Sequence, residues 1–109
     1  MIFIVVKWRP KAEYVETFTD EVADFTEATR NEPGNLFFDW SRSVADPSEY
    51  VLVEGFRDGE AGKDHVTSEH FKKFVAAAPT LLSATPLIIS QEIDATGWGE
   101  MGEIKVDQS

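Results

Sequence analysis

His65 and His70 are the only histidines in this chain, and they fall in one phrase, Asp64-His65-Val66-Thr67-Ser68-Glu69-His70-Phe71. There is no cysteine. The two imidazoles are therefore the only side chains whose ordinary pKa lies near neutrality, so proton transfer at physiological pH points first to them. Glu54 is a third candidate, because it interrupts an otherwise apolar run and burial there would raise its pKa. A base of this kind can take a proton from a bound substrate and hold the resulting anion in a dry cavity. Trp8, Phe38, Trp40 and Phe56 could wall such a cavity, and Arg42 or Lys7 could stabilise the anion. Each residue also has a structural alternative. The histidines could bond backbone carbonyls, Glu54 could pair with Lys7 or Arg42, and the tryptophans could anchor the core or a subunit interface.

On a continuous α-helix, five residues turn the chain through about 140°. The two histidines can share a site only if the helix breaks at Val66-Thr67-Ser68. Thr67 or Ser68 can cap a new helix, so a break is expected there. It would leave His65 at the end of one helix, facing a cavity mouth, and His70 in a structural role at the start of the next. The expectation is two residues with separate jobs and no metal. The spacing lacks the i, i+4 geometry of helical ligands, and no neighbouring motif supplies a third. No glycine-rich loop follows a strand to cradle phosphate, and Ser68 has no nucleophile-elbow context.

The elements that must position these residues follow from periodicity. Ile2–Trp8 is β-branched and aromatic and reads as a buried strand. Residues 11–30 read as a helix, because Val15, Phe18, Val22, Phe25 and Thr29 recur at three- and four-residue steps. Asn31-Glu32-Pro33-Gly34 ends it. Residues 35–44 and 49–56 read as two strands joined by the turn Ala45-Asp46-Pro47-Ser48, hence an antiparallel hairpin. In the first, Leu36, Phe38 and Trp40 oppose Phe37, Asp39 and Ser41. Asp58 is a plausible cap for a short helix reaching about His65. A second helix carries Phe71, Phe74, Val75 and Ala78, and Leu87–Ile93 is a fourth strand.

The order β-α-β-β-α-β predicts an α+β, ferredoxin-like fold: a four-stranded antiparallel sheet with both helices on one face. Strands apolar on both sides leave the other face uncovered, which a second subunit would cover. The expectation is a homodimer in which Phe38 or Trp40 meets the partner.

The 109 residues suit one domain, residues 1–93. Residues 94–109, loosened by Gly97, Gly99 and Gly102, form either a frayed tail or an arm that embraces a second subunit. A hydrophobic content of 42% is too high for disorder. The net charge of −10 disfavours nucleic-acid and membrane-surface partners. Apolar runs too short to span a bilayer, and a start unlike a signal peptide, point to the cytoplasm.

Several phrases together resemble the antibiotic biosynthesis monooxygenase superfamily of dimeric α/β barrels. They are Asn31-Glu32-Pro33-Gly34 leading to Leu36-Phe37, then Asp46-Pro47, then Val53-Glu54-Gly55-Phe56-Arg57-Asp58, then His65 to Phe71. The resemblance covers roughly residues 2–93. It implies a ferredoxin-like homodimer with a pocket between sheet and helices in each subunit. It also implies cofactor-independent monooxygenation of a small aromatic or quinol-like substrate by dioxygen. On this view His65, His70 and Glu54 are the candidate catalytic groups, and Trp8, Phe38, Trp40, Arg42 and Phe56 contact substrate. The haem-degrading branch places an asparagine in the first strand, where this chain has Val5-Val6-Lys7-Trp8. The alternative is a non-oxidative protein on the same fold. It would be an isomerase of a phosphorylated metabolite, with Lys7, Arg42 and Arg57 on a basic pocket floor, or a module binding a small hydrophobic ligand.

Overall fold

The computed structural model describes residues 1–107. Four strands, β1 (Ile2–Trp8), β2 (Asn35–Arg42), β3 (Tyr50–Phe56) and β4 (Leu87–Glu92), form one antiparallel sheet in the order β2-β3-β1-β4. Four short helices lie on one face: α1 (Phe18–Glu21), α2 (Ala23–Arg30), α3 (Gly59–Val66) and α4 (Glu69–Ala77). This is the α+β, ferredoxin-like arrangement expected from the element order.

The expected helix over residues 11–30 is broken. A 3-10 turn spans Ala12–Tyr14, and Thr17 and Val22 have backbone angles outside the helical region, which separates α1 from α2. The apolar stripe survives the breaks, with Phe18, Val22, Phe25 and Thr29 all buried. Burying that stripe stabilises the segment, and a short helix owes most of its stability to such packing.

Alternation along β1, β2 and β3 sends Val6, Trp8, Phe38, Leu52, Glu54 and Phe56 toward the helices, where all are buried. Phe25 and Phe74 stack above them with ring centroids 4.0 Å apart, tying α2 to α4. Phe38 and Trp40 therefore belong to the helix side: Phe38 is in the core, and Trp40 donates its indole N–H to Thr26 Oγ1 at 2.8 Å. This corrects the expectation that one of them faces a partner subunit. The reason is that β1, β2 and β3 are apolar on both sides, so a period of two does not reveal which side the helices cover.

The outer face carries Phe3, Val5, Phe37, Val51 and Val53, all partly exposed. Phe37 lies over Gly55, and a Cβ added there would come within 2.5 Å of its ring. Trp98, from the segment after β4, packs on Phe37 with centroids 5.4 Å apart. Leu87, Ile88 and Ile89 of the edge strand are largely exposed. Among the described residues no helix is long and apolar enough to cross a membrane.

Candidate functional site

Two caps place the histidines. Asp58 Oδ1 accepts from Ala61 N at 2.9 Å and starts α3, while Ser68 Oγ accepts from Phe71 N at 3.2 Å and starts α4. Between the two helices Thr67 ends α3, and the Ser68 hydroxyl donates to His65 O at 2.6 Å. The break is the expected one. Its consequence is not, because it turns the two imidazoles toward each other, with ring centroids 6.1 Å apart.

The residue between them is Glu32. His65 Nδ1 lies 2.8 Å from Glu32 Oε2, and His70 Nε2 lies 2.5 Å from the same oxygen. A carboxylate only accepts, so both bonded nitrogens carry protons and His65 Nε2 keeps its lone pair. The two histidines, expected to sit apart with separate jobs, share one carboxylate oxygen. Glu32 lies in the phrase read from sequence only as a helix terminator. A carboxylate beside a Pro-Gly turn was the available signal, but sequence spacing could not reveal its two partners, 33 and 38 residues away. Gly34 brings this turn close to α3. A Cβ there would collide with that of buried Ala61, and Arg57 N donates to Gly34 O at 2.8 Å.

His65 is only 4% exposed, so it lies inside the protein and not at a cavity mouth. The Phe56 and Phe71 rings sit 4.8 and 5.0 Å from it. Burial holds its pKa below the ordinary histidine value, against the opposing pull of Glu32. Glu54 Oε1 stands 4.0 Å from His65 Nε2, and burial, reinforced by the charge of Glu32, raises the Glu54 pKa to about 8. Neutral Glu54 is a proton donor at physiological pH.

Glu54 and His65 line a cavity of about 220 Å³ between sheet and helices. Its other walls are apolar and include Ile4, Val6, Trp8, Leu52, Phe71, Phe74 and Ile88. Trp8, Phe74, Val75 and Pro86 also line a neighbouring groove of about 460 Å³. The indole N–H of Trp8 is buried without a partner.

The chain belongs to the antibiotic biosynthesis monooxygenase family. The family model of that description matches residues 1–77, a span that contains Glu32, Glu54, His65 and His70. The curated protein "Putative monooxygenase YcnE" of Bacillus subtilis (strain 168) is 31% identical over 93 residues, covering 85% of this chain and 98% of that protein. Solved structures share the fold. Rv0793 from Mycobacterium tuberculosis has a TM-score of 0.78 at 21% identity, covering 88% of this chain and 98% of its own. A protein from Deinococcus radiodurans, described as "a putative antibiotic biosynthesis monooxygenase", has a TM-score of 0.81 at 20% identity. It covers 94% of this chain and 100% of its own.

Of the residues singled out in the sequence, His65, His70 and Glu54 converge, and Trp8 walls the cavity. Phe56 supports His65 from within the core, and Phe38 lies behind it, with centroids 6.2 Å apart. Trp40 borders a different groove, beside Thr26 and Arg30. Arg42 turns outward to Glu16, with Nη2 2.7 Å from Oε1. Glu54 pairs with neither Arg42 nor Lys7, whose ammonium lies 4.0 Å from Glu49. Arg57 bonds Asp58. None of these three cations lines the cavity, so the basic floor that a phosphorylated substrate needs is missing among the described residues.

Proposed function

We propose that this family member is a cofactor-independent monooxygenase. It would oxidise a small phenol or quinol in the cavity bounded by His65, Glu54 and Trp8. The observation that carries this reading is the orientation of His65: Nδ1 is held by Glu32, and Nε2 sits beside Glu54 at an apolar cavity.

In this reading His65 Nε2 accepts the substrate hydroxyl proton, and Glu32 stabilises the imidazolium through Nδ1. His70 holds the other side of Glu32 Oε2. Neutral Glu54 donates to a substrate oxygen, and the unpartnered Trp8 N–H is a second available donor. The dry aromatic wall leaves the substrate anion poorly solvated and therefore easily oxidised by dioxygen. One oxygen atom joins the carbon skeleton. The other leaves as water with two hydrogens of the substrate, which supplies all four electrons that dioxygen takes up, two with those hydrogens and two to the inserted oxygen.

We infer a homodimer as well, with the outer sheet face as the contact and the segment after β4 extending it. The apolar outer face and the exposed edge strand support this. Oxygen uptake by the pure protein over a panel of phenols and quinols tests the activity. Turnover above spontaneous oxidation, reduced at least a hundredfold in His65→Gln, is expected. A panel with no uptake above background, or an unaffected His65→Gln variant, overturns it.

A further inference from the structure

We propose that Glu32, His65 and His70 form a binding site for one divalent transition-metal ion of the zinc class, which exchanges with the protons that now bridge the three side chains. The ligand atoms, His65 Nδ1, His70 Nε2 and a Glu32 oxygen, all lie within 4.8 Å of one another. Two imidazoles and one carboxylate are a donor set suited to zinc and its neighbours, and they leave a coordination position for water.

Two further features point to a ligand. Glu32 takes both imidazole contacts on Oε2, while its Oε1 is buried with no hydrogen-bond partner. A buried carboxylate oxygen without a donor is costly, and a cation satisfies it. The ligands also come from three separate segments: the turn before β2, the end of α3 and the start of α4. Their convergence therefore does not follow from helix periodicity. Ligands at about 2.1 Å around a tetrahedral ion lie about 3.4 Å apart. The present separations of 2.8 and 2.5 Å therefore need to open by less than about 1 Å. His70, with 26% of its side chain exposed, is the side from which an ion arrives.

Binding has a specific consequence for His65. A metal on Nδ1 moves the ring proton to Nε2, so the nitrogen facing Glu54 changes from acceptor to donor. That change rests only on the geometry of the cluster. The inference that it stops catalysis rests on the proposed role of His65 as base.

The experiment begins with chelator-treated protein. Calorimetric titration with zinc chloride should give one site per chain, and cobalt(II) should develop visible ligand-field bands. Nitrogen-15 NMR of the intact protein reads the imidazoles directly. Zinc should shift both histidines and move the His65 proton from Nδ1 to Nε2. His70→Gln should lower the zinc affinity at least tenfold, whereas a variant of the exposed Glu100 should not. No binding at millimolar zinc overturns the proposal, as does binding that leaves both imidazole spectra unchanged. If His70→Gln does not fold, the native imidazole spectra alone decide. Zinc that shifts both rings but leaves oxygen uptake unaltered keeps the metal site and removes His65 as the base.

Discussion

The two faces of the sheet are built from alternate residues of the same strands, yet they differ in kind. On the helix side Phe38, Leu52 and Phe56 are almost wholly buried, and a cluster of one carboxylate and two imidazoles sits above them. On the outer side Phe3, Val5, Phe37, Val51 and Val53 keep part of their surface in water, with Trp98 packed on Phe37. The helix side completes a core within one chain, and that closure lowers the local dielectric enough to raise Glu54 to about 8. Among the described residues the outer side has apolar surface and no comparable polar cluster. Burial alone does not make a site; burial around groups that cannot all be charged does.

The sharpest way to break the contrast is to cut the same amount from each face. Phe38→Ala should cost about 3–5 kcal/mol in urea unfolding, because the helix side cannot collapse around the cavity left behind. Phe37→Ala should cost less than half of that. Equal losses would mean that the outer face is as fully packed as the core.

Glu54 supplies the next largest effect. Its ordinary value of 4.5 applies to the unfolded chain, and its folded value is about 8. Between those limits the folded protein keeps a proton that the unfolded chain has shed. Stability is therefore full below about pH 4.5 and falls as pH rises through the window, by at most about 1.4 kcal/mol per unit. Glu54→Gln removes this dependence, so its advantage over the parent should grow between pH 5 and pH 8. A constant difference in urea midpoint across that range would contradict the buried, protonated carboxyl.

Val53→Asp probes the outer face. It should leave the far-ultraviolet spectrum and the Glu32-His65-His70 hydrogen bonds intact while shifting sedimentation from dimer to monomer. A dimer that persists would assign the contact to another surface. The smallest effect should come from Ser68→Ala, which removes the cap of α4 at a cost of about 1 kcal/mol. It should also slow oxygen uptake, because the same hydroxyl holds the chain between the two histidines.

These contrasts also mark what the sequence could and could not say. The order of elements, the hairpin, the cap at Asp58, a second cap at Thr67 or Ser68, and the break between the histidines are local matters of periodicity and turn chemistry, and all were legible. The sidedness of β2 was not, since Leu36, Phe38 and Trp40 are as apolar as a partner-facing row would be. Leu36 departs from that row, being exposed beside the register shift at Asn35–Phe37. The cavity residues Glu54, His65 and Trp8 were visible as residue types in plausible places. Glu32 was not, because its role depends on where a loop is set against two helices far along the chain. Arg42 was attractive as a cation on a strand, but its guanidinium is taken by the Pro47 carbonyl and by Glu16, on the stretch before α1.

Gly34 and Ala61 act together as a spacer. No Cβ fits between them, so the turn holding Glu32 rests directly against the helix holding His65. The carboxylate-to-imidazole distance is thereby set by contact between two small residues as well as by the hydrogen bonds it permits. A spacer of this kind tolerates exchange but not growth. Gly34→Ala combined with Ala61→Gly keeps the sum of sizes, whereas enlarging either position alone moves α3 outward and opens the cluster. The cluster thus has a mechanical adjustment, two residues from Glu32 and four from His65, through which its separation could be tuned without altering Glu32, His65 or His70.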